Sequence, residues 1–239
     1  NFPQQLAYEP VLCGAEKLGT YASYVVVGMG GSNLCTELIG TMNPALDITV
    51  HRDYGLPRLS QERLAQSLII ISSYSGNTEE ALDALEQAQR QGLRSIAVSK
   101  GGALLERAKT YNIPYIQLPD TGIPPRFALG FRLKALLTCM GEHQMLKELS
   151  RISTHLNGEN AQRHSQALAP HFHNAIPVIY TSTRNAPLGY AWKIAMNENT
   201  KIPAFCNVLP EMNHHEINAF EHHTATAKLT ASLAVIILQ

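Results

Sequence analysis

Hydroxyl groups are concentrated in a short segment that follows an apolar stretch. Residues 72–78 have the sequence SSYSGNT, with hydroxyls at Ser73, Ser75 and Thr78, and a helical pattern begins directly after them. Hydroxyls beside the free N–H groups of a helix start suit an anion with several acceptor oxygens, such as a phosphate monoester. We therefore predict an anion site in this segment, which we call the serine loop.

The alternative for the serine loop is a purely structural one, in which its hydroxyls only cap the helix and fill a polar turn. Asn77 and Glu80, three residues apart, are predicted to form a capping pair for that helix. Three hydroxyls and a glycine are more than one helix cap requires. The composition of the loop therefore favours ligand binding over capping alone.

A glycine-rich turn follows another apolar stretch. Residues 28–32 have the sequence GMGGS, directly after YVVV, and we call them the glycine turn. Glycine lets backbone N–H groups come close to a bound anion, and the following helix presents its N-terminus. The spacing approaches the dinucleotide-binding fingerprint, but Asn33 stands at the third glycine position. A tight strand-to-helix turn without a ligand is the alternative.

A carboxylate and an imidazole lie in two polar segments of the last third of the chain. Glu198 lies in NENTK and His214 in PEMNHHE. Glu198 follows a helical pattern of mostly apolar and small residues, so we expect it in a partly desolvated cleft, where a carboxylate can accept a proton near neutral pH. Histidine can move a proton on a sugar oxygen. The alternatives are an exposed glutamate at a helix end and a surface histidine.

Two further groups of residues have a possible chemical role. His214, His215, His222 and His223 are close in sequence, but their spacing matches no common zinc arrangement and no cysteine accompanies them. We therefore predict no metal site. Arg126 follows two prolines and opens a helical pattern, where it is either an ordinary helix-end arginine or an anion clamp.

The elements that must position these residues alternate between strands and helices. Several strand-length stretches are continuously apolar, as is typical of strands buried on both faces of a parallel sheet. Strands are predicted at residues 24–28, 48–51, 68–73, 95–99 and 115–118, and helices at 79–92 and, as one long helix, at 127–149. The alternation favours a doubly wound α/β fold, which binds ligands beyond the carboxyl ends of its strands.

A polar stretch at residues 150–165 is the predicted domain boundary. After it the pattern restarts, with strands predicted at 177–180 and 233–238, a helix at 187–197 and a short segment at 204–208. The second half shows fewer strands than the first. We expect two α/β domains, residues 1–150 and 151–239, of which the second is incomplete.

Composition excludes several classes of partner. Of 239 residues, 45% are hydrophobic, and 19 Lys and Arg balance 19 Asp and Glu, so the formal net charge is zero. A nucleic-acid-binding domain needs a basic face, so we expect no nucleic-acid partner. No apolar run approaches the ~20 residues that span a bilayer, so we expect no membrane association. Four scattered cysteines without a CxxC pair suggest a cytoplasmic protein.

Five motifs follow one another along the chain: GMGGS at 28–32, SYSGNTEE at 73–80, PPRFALG at 124–130, NENTKIPAF at 197–205 and PEMNHHE at 210–216. In this order they resemble the sugar isomerase (SIS) superfamily, and more closely the bifunctional phosphoglucose/phosphomannose isomerase family. SYSGNTEE alone is typical of the superfamily, whereas the last two motifs are far more specific, and together the matches span almost the whole chain. The resemblance implies two SIS-type subdomains and a homodimer with active sites where the subunits meet.

The resemblance implies that the first half of the chain binds a phosphorylated hexose. Ser73, Ser75 and Thr78 would hold the sugar phosphate. Gly31 and Ser32 would line the sugar side of the pocket. These five residues are the substrate-binding residues that we predict.

The resemblance also implies the residues of proton transfer. Glu198 would be the base that moves a proton between C1 and C2 through a cis-enediol(ate), and Arg126 would stabilise the negative charge of that intermediate. His214 would assist ring opening, in the site of the partner subunit. His215 stands where the family often has asparagine, so the order of the motif alone assigns ring opening to His214.

One catalytic residue of the family has no counterpart in this sequence. The resemblance implies a catalytic lysine on a C-terminal helix, which we expect beyond Gln239; the alternative is a degraded relative of the family. Lys193, Lys201 and Lys228 are not at matching positions. We therefore assign none of them to catalysis.

The expected function is an aldose–ketose isomerase that interconverts glucose 6-phosphate and fructose 6-phosphate, and also accepts mannose 6-phosphate. No cofactor is expected, because the carbonyl group acidifies its neighbouring carbon. One alternative is a non-catalytic sugar-phosphate sensor, which would need the serine loop but neither Glu198 nor Arg126. Another is a nucleotide-sugar or dinucleotide enzyme that binds NAD(P) at the glycine turn.

Overall fold

The structure is a computed structural model that describes residues 2–221 and 224–238. The chain divides into two units, residues 1–156 and residues 157–239. The division lies within the polar stretch at 150–165. Each unit has its own sheet.

Buried apolar stretches build the sheet of the first unit. Its strands are β1 (Leu12–Cys13), β2 (Ser23–Val27), β3 (Asp47–His51), β4 (Ser67–Ser72), β5 (Ser95–Ser99) and β6 (Tyr115–Gln117). Their order is β1-β6-β5-β4-β2-β3, and all are parallel except β1, which pairs antiparallel with β6. β2, β4 and β5 are buried along their whole length, which explains why these strands are continuously apolar. The five predicted strands are confirmed to within one residue.

Helices cover both faces of this sheet. They are α1 (Phe2–Ala7), α2 (Gly31–Met42), α3 (Gln61–Gln66), α4 (Glu79–Arg90), α5 (Gly102–Thr110), α6 (Leu129–Met140) and α7 (His143–Ser153). Alternate side chains of β2 and β4 point to opposite faces. Val26 and Ile70 pack with α1, α2, α6 and α7, whereas Val25 and Ile69 pack with α3, α4 and α5. The doubly wound α/β fold is confirmed.

The single long helix predicted at 127–149 is wrong. Residues Pro125–Phe127 form a 3₁₀ turn, and two helices, α6 and α7, follow it. Gly141 separates them because it adopts a left-handed conformation with φ of 73°. The N–H of Glu142 donates to the carbonyl of Leu137, which completes the end of α6. The apolar pattern continues across the break because both helices contribute to the same core.

The second unit has a small parallel sheet. Its strands are β7 (Ile176–Ser182), β8 (Phe205–Leu209) and β9 (Leu233–Leu238), in the order β8-β7-β9. Its helices are α8 (Gly158–Leu168), α9 (Ala186–Ala195) and α10 (Ala227–Thr230), joined by short 3₁₀ turns and a π-helical turn at Met196–Thr200. Most of the polar stretch at 150–165 is helical, since it contains the end of α7 and the start of α8.

Two further properties concern the described helices and the cysteines. None of the described helices is both long and apolar enough to cross a bilayer. All four cysteines are free thiols. Burial raises the pKa of the Cys35 thiol to about 11 and also raises the pKa of Cys139. Both buried thiols therefore stay protonated at neutral pH.

The break between α6 and α7 gives a prediction about stability. Gly141→Ala is expected to lower the free energy of unfolding by roughly 1–2 kcal/mol, because an L side chain is disfavoured in the left-handed conformation. Gly40→Ala is the matched control: it lies inside α2 with open space around it, and is expected to raise stability by roughly 0.5–1 kcal/mol. Chemical denaturation followed by circular dichroism measures both. Equal effects of the two substitutions would contradict the assignment.

Candidate active site

The glycine turn and the serine loop lie side by side in the first unit. β2 and β4 pair in parallel, so the turns that follow them emerge at the same edge of the sheet. A methyl group added to Gly28 would lie 2.7 Å from the carbonyl oxygen of Ser72, which shows how closely the two backbones approach. α2 and α4 both begin at this edge. Two helix N-termini therefore converge beside the hydroxyl groups.

Its own hydrogen bonds hold the serine loop in shape. The hydroxyl oxygens of Ser73 and Thr78 are 2.7 Å apart, and the N–H of Gly76 donates to Ser73 Oγ at 3.1 Å. The N–H of Asn77 donates to Ser75 Oγ at 3.2 Å. Ser73 is buried, Thr78 is half-buried and Ser75 is exposed. The structure thus brings Ser73 and Thr78 together and places Ser75 on the outer side of the loop.

The start of α5 supports the serine loop from behind. Gly76 has φ of 77°, and a side chain on it would overlap the carbonyl oxygen of Gly101. The carbonyl of Gly76 accepts a hydrogen bond of 2.8 Å from the N–H of Leu104. Glycine is required at position 76 both by its conformation and by this close approach.

The predicted capping pair of Asn77 and Glu80 is wrong. The residue at the start of α4 is Thr78, which makes no side-chain cap. Asn77 instead accepts a hydrogen bond of 3.0 Å from the N–H of Ala103, in the first turn of α5. Asn77 therefore caps the neighbouring helix, and this contact joins the serine loop to α5.

The glycine turn is held by the residue that departs from the dinucleotide fingerprint. The Asn33 amide nitrogen donates to the carbonyl of Gly28, and the side chain of Asn33 is fully buried. Of the predicted pocket residues, Ser32 is buried and Gly31 is half-buried. Three buried polar atoms around the two turns, Asn33 Oδ1, Ser72 Oγ and Tyr74 Oη, have no hydrogen-bond partner among the described residues. The edge of the sheet is therefore polar as well as enclosed.

Arg126 is exposed and lies on the 3₁₀ turn Pro125–Phe127, which we call the arginine turn. Its guanidinium carbon is 5.0 Å from the ring centre of Phe127. Two buried residues hold this turn. Gln5 donates to the carbonyl of Phe127 at 2.7 Å, and Arg132 donates to the carbonyl of Pro125 at 2.8 Å.

Sequence reasoning missed both of these supporting residues. Gln5 carries no signal in the sequence, because nothing local relates it to a turn more than a hundred residues away. Arg132 does carry one. It is a charged residue within the apolar run GFRLKALL, where an ordinary core helix would have none.

Glu198 is exposed in the single chain, so the partial burial expected for its side chain is not found there. The π-helical turn Met196–Thr200 that ends α9 turns the Glu198 side chain towards solvent. Two hydrogen bonds fix this turn: Asn197 donates to the carbonyl of Ile202 at 2.9 Å, and Thr200 donates to that of Met196 at 2.6 Å. Glu198 therefore sits on a locally well-defined support.

His214 ends a 3₁₀ turn, Glu211–His214, that follows β8, and its side chain is exposed. Glu216, which sequence reasoning missed, anchors the chain just after it. Its carboxylate accepts a hydrogen bond of 2.8 Å from the Asn207 amide. Burial, and then a hydrogen bond to Glu216, raise the pKa of Tyr180 to about 12. The tyrosine therefore stays protonated and can donate to the carboxylate.

Two of the four clustered histidines, His214 and His215, lie in the described chain. His215 lies 3.7 Å from Glu211, and both are exposed. His222 and His223 lie outside the described residues. Within residues 2–221 and 224–238, no group of three or more His, Cys, Asp or Glu side chains is arranged to hold a metal ion.

Comparison with known proteins places the chain in a family. Residues 161–239 match the family model described as the bacterial phospho-glucose isomerase C-terminal SIS domain. The bifunctional phosphoglucose/phosphomannose isomerase of Aquifex aeolicus is 31% identical over 91% of this chain and 67% of its own length. That of Caldicellulosiruptor bescii is 33% identical over 91% of this chain and 69% of its own length. The chain belongs to the bifunctional phosphoglucose/phosphomannose isomerase family.

Solved structures support the fold independently of sequence. Glucosamine-6-phosphate deaminase from Thermotoga maritima superposes with a TM-score of 0.68 over 100% of this chain and 80% of its own, at 13% identity. At this identity the likeness shows the fold alone. This chain thus combines the α/β architecture with the sequence motifs of the phosphoglucose/phosphomannose isomerase family, and spans about two thirds of the length of the relatives compared.

The predicted site residues divide between the two units. The first unit carries the predicted binding residues and Arg126, and the second carries Glu198 and His214. Except for Glu198, which lies on the turn that ends α9, each of these residues follows a strand or opens a helix. Segments that follow the strands are where α/β folds carry function.

The contact between the serine loop and α5 gives a second prediction. Asn77→Ala is expected to lower the free energy of unfolding by about 1 kcal/mol, because the first turn of α5 loses its cap. Asn77→Asp is the matched control, since it keeps the acceptor oxygen and is expected to stay within about 0.5 kcal/mol of the parent protein. Urea denaturation measures both variants. An Asn77→Ala variant as stable as the parent protein would refute the capping role.

Proposed function

We propose that this protein is an aldose–ketose isomerase that interconverts glucose 6-phosphate and fructose 6-phosphate and also accepts mannose 6-phosphate. The observation that carries the proposal is the serine loop. In a chain of the phosphoglucose/phosphomannose isomerase family, it places the Ser73 and Thr78 hydroxyls 2.7 Å apart at a helix start that has no side-chain cap. The names of the relatives favour an isomerase over a non-catalytic sensor.

In this proposal the serine loop binds the phosphate. Ser73, Ser75 and Thr78 supply hydroxyl donors, and the first N–H groups of α4 supply backbone donors. A helix N-terminus alone contributes only about 0.3–2 kcal/mol towards an anion, so the hydroxyls are needed for tight binding. Gly31 and Ser32, at the same sheet edge, line the side of the pocket that faces the sugar.

Glu198 is proposed as the base that moves the proton. Its carboxylate removes the hydrogen of C2 from the open-chain aldose, and the electron pair forms the C1–C2 double bond of an enediolate. The hydroxyl proton of O2 passes to O1, and the same carboxylate then returns the proton to C1 while the carbonyl forms at C2. Arg126 stabilises the negative charge of the intermediate, and His214 assists ring opening. The reaction is redox-neutral overall and requires no added cofactor.

A homodimer is part of the proposal. Glu198 and His214 are both exposed in the single chain, although proton transfer next to a carbonyl works best in a site that excludes water. A second subunit that contributes His214 would enclose Glu198. The four free cysteines agree with a cytoplasmic location, which we also propose.

Proton exchange tests the role of Glu198. In the full-length protein, Glu198→Gln is expected to lower isomerase turnover by at least about a hundredfold, because an amide cannot accept the C2 proton. Incorporation of deuterium from D₂O at C2 of the aldose that is formed from fructose 6-phosphate should fall in parallel. Binding of the phosphosugar, measured by calorimetry, should persist. Glu159→Gln, an exposed glutamate of the same unit, is the control and should leave both rates unchanged. Normal exchange in Glu198→Gln would refute the mechanism.

Mixed dimers test whether the site is shared. Glu198→Gln and His214→Asn proteins, each nearly inactive, are unfolded, mixed in equal amounts and refolded together. If one site uses Glu198 of one subunit and His214 of its partner, random pairing restores about one quarter of the parent activity, because half of the dimers then hold one intact site. Separately refolded proteins mixed afterwards are the control. No recovery of activity would show that both residues serve the same subunit's site.

A further inference from the structure

One buried charge of the first unit has no role in the mechanism described so far. Arg132 lies on α6 and is 2% exposed. Its Nε donates to the carbonyl of Ala128 at 3.3 Å, and its Nη2 donates to that of Pro125 at 2.8 Å. A guanidinium carries five N–H donors. The two hydrogen bonds leave more than half of its donors without an acceptor in the described chain.

The charge of Arg132 is also not neutralised. No carboxylate of the described residues lies within 4.0 Å of its nitrogens. A buried cation without a counter-ion is costly and is seldom retained for stability alone. Its field reaches its neighbours, because the nearby guanidinium partly opposes the rise that burial causes in the pKa of Cys35.

Arg132 touches all three segments that form the edge of the site in the first unit. A methyl group built on Gly31 would lie 2.6 Å from Nη2 and 2.8 Å from Nη1, so the guanidinium fills the space against the glycine turn. The guanidinium carbon of Arg132 lies 6.0 Å from the ring centre of Tyr74 in the serine loop. The hydrogen bond to Pro125 ties it to the arginine turn.

We propose that Arg132 is a positioning residue whose unneutralised charge favours negative charge on the sugar end of a bound substrate. It acts through the glycine turn, against which it packs, and through the arginine turn, which it holds in place. This inference rests on the proposed function, since an enediolate is the anion that would gain from the charge. A guanidinium suits the role because it stays charged when buried.

Lys134 on the same helix provides a matched control. It is 3% exposed, and its ammonium group donates to Ser150 Oγ at 2.6 Å and to the carbonyl of Leu146 at 3.3 Å, both of α7. Burial lowers the pKa of Lys134. It is thus a buried cation of α6 whose hydrogen bonds to described residues both go to α7 and not to the site edge.

Calorimetry on the full-length protein with two phosphosugar analogues tests the inference. A five-carbon aldonic acid 5-phosphate carries a carboxylate where the enediolate would form, whereas a hexitol 6-phosphate is neutral there. Arg132→Met is expected to lower the affinity for the carboxylate ligand by about tenfold and the affinity for the hexitol phosphate by less than about twofold. Lys134→Met should change neither affinity by more than about twofold. Arg132→Lys, which keeps the charge, should recover most of the preference for the carboxylate ligand.

Each outcome decides between the inference and a structural role. Replacing a buried charge by an apolar side chain of similar size is often tolerated, so Arg132→Met should fold; if it does not, Arg132→Gln, which also removes the charge, takes its place. A neutral variant whose ratio of the two affinities equals that of the parent protein overturns the inference. If the parent protein binds neither analogue, the proposed function itself fails.

Discussion

The parallel pairing of β2 with β4 is the constraint on which the first half of the site depends. It places two turns of different composition at one sheet edge, with Gly28 close against the carbonyl of Ser72. Because parallel strands all end at the same side, hydroxyls from one turn and free amides from the other face the same space. Without this register the glycine turn and the serine loop would be unrelated surface features.

Around this edge the protein keeps polar groups and charge in places that water reaches poorly. Ser73 is buried, the Tyr74 hydroxyl has no hydrogen-bond partner in the described part of the chain, and Arg132 is almost fully enclosed. Electrostatic interactions are stronger in such surroundings than in water, and unpaired groups there are costly to the fold. The combination is unfavourable for stability, and a core built for stability alone would avoid it; it is consistent with the anion site that we propose at this edge.

Much of this was predictable from the sequence, and the failures have physical causes. The five strands predicted in the first unit were placed to within one residue, because β2, β4 and β5 are buried on both faces and leave a continuous apolar signal. The long helix was wrong because the core pattern runs on through Gly141. Asn77 was assigned to the wrong helix, and Gln5 was missed, because their partners are distant in the chain. The burial of Glu198 could not be predicted from the sequence, because the apolar pattern of α9 shows which face of that helix is buried but not what surrounds the turn at its end.

The close fit of Gly76 against Gly101 has a consequence for how tightly a ligand can be held. With Asn77 also fixed to the next helix, the serine loop has little freedom left to lose when an anion arrives. Conformational entropy is therefore given up once, during folding, and not again at each binding event. Such a rigid receptor should discriminate by shape, accepting a tetrahedral dianion readily and a planar carboxylate poorly.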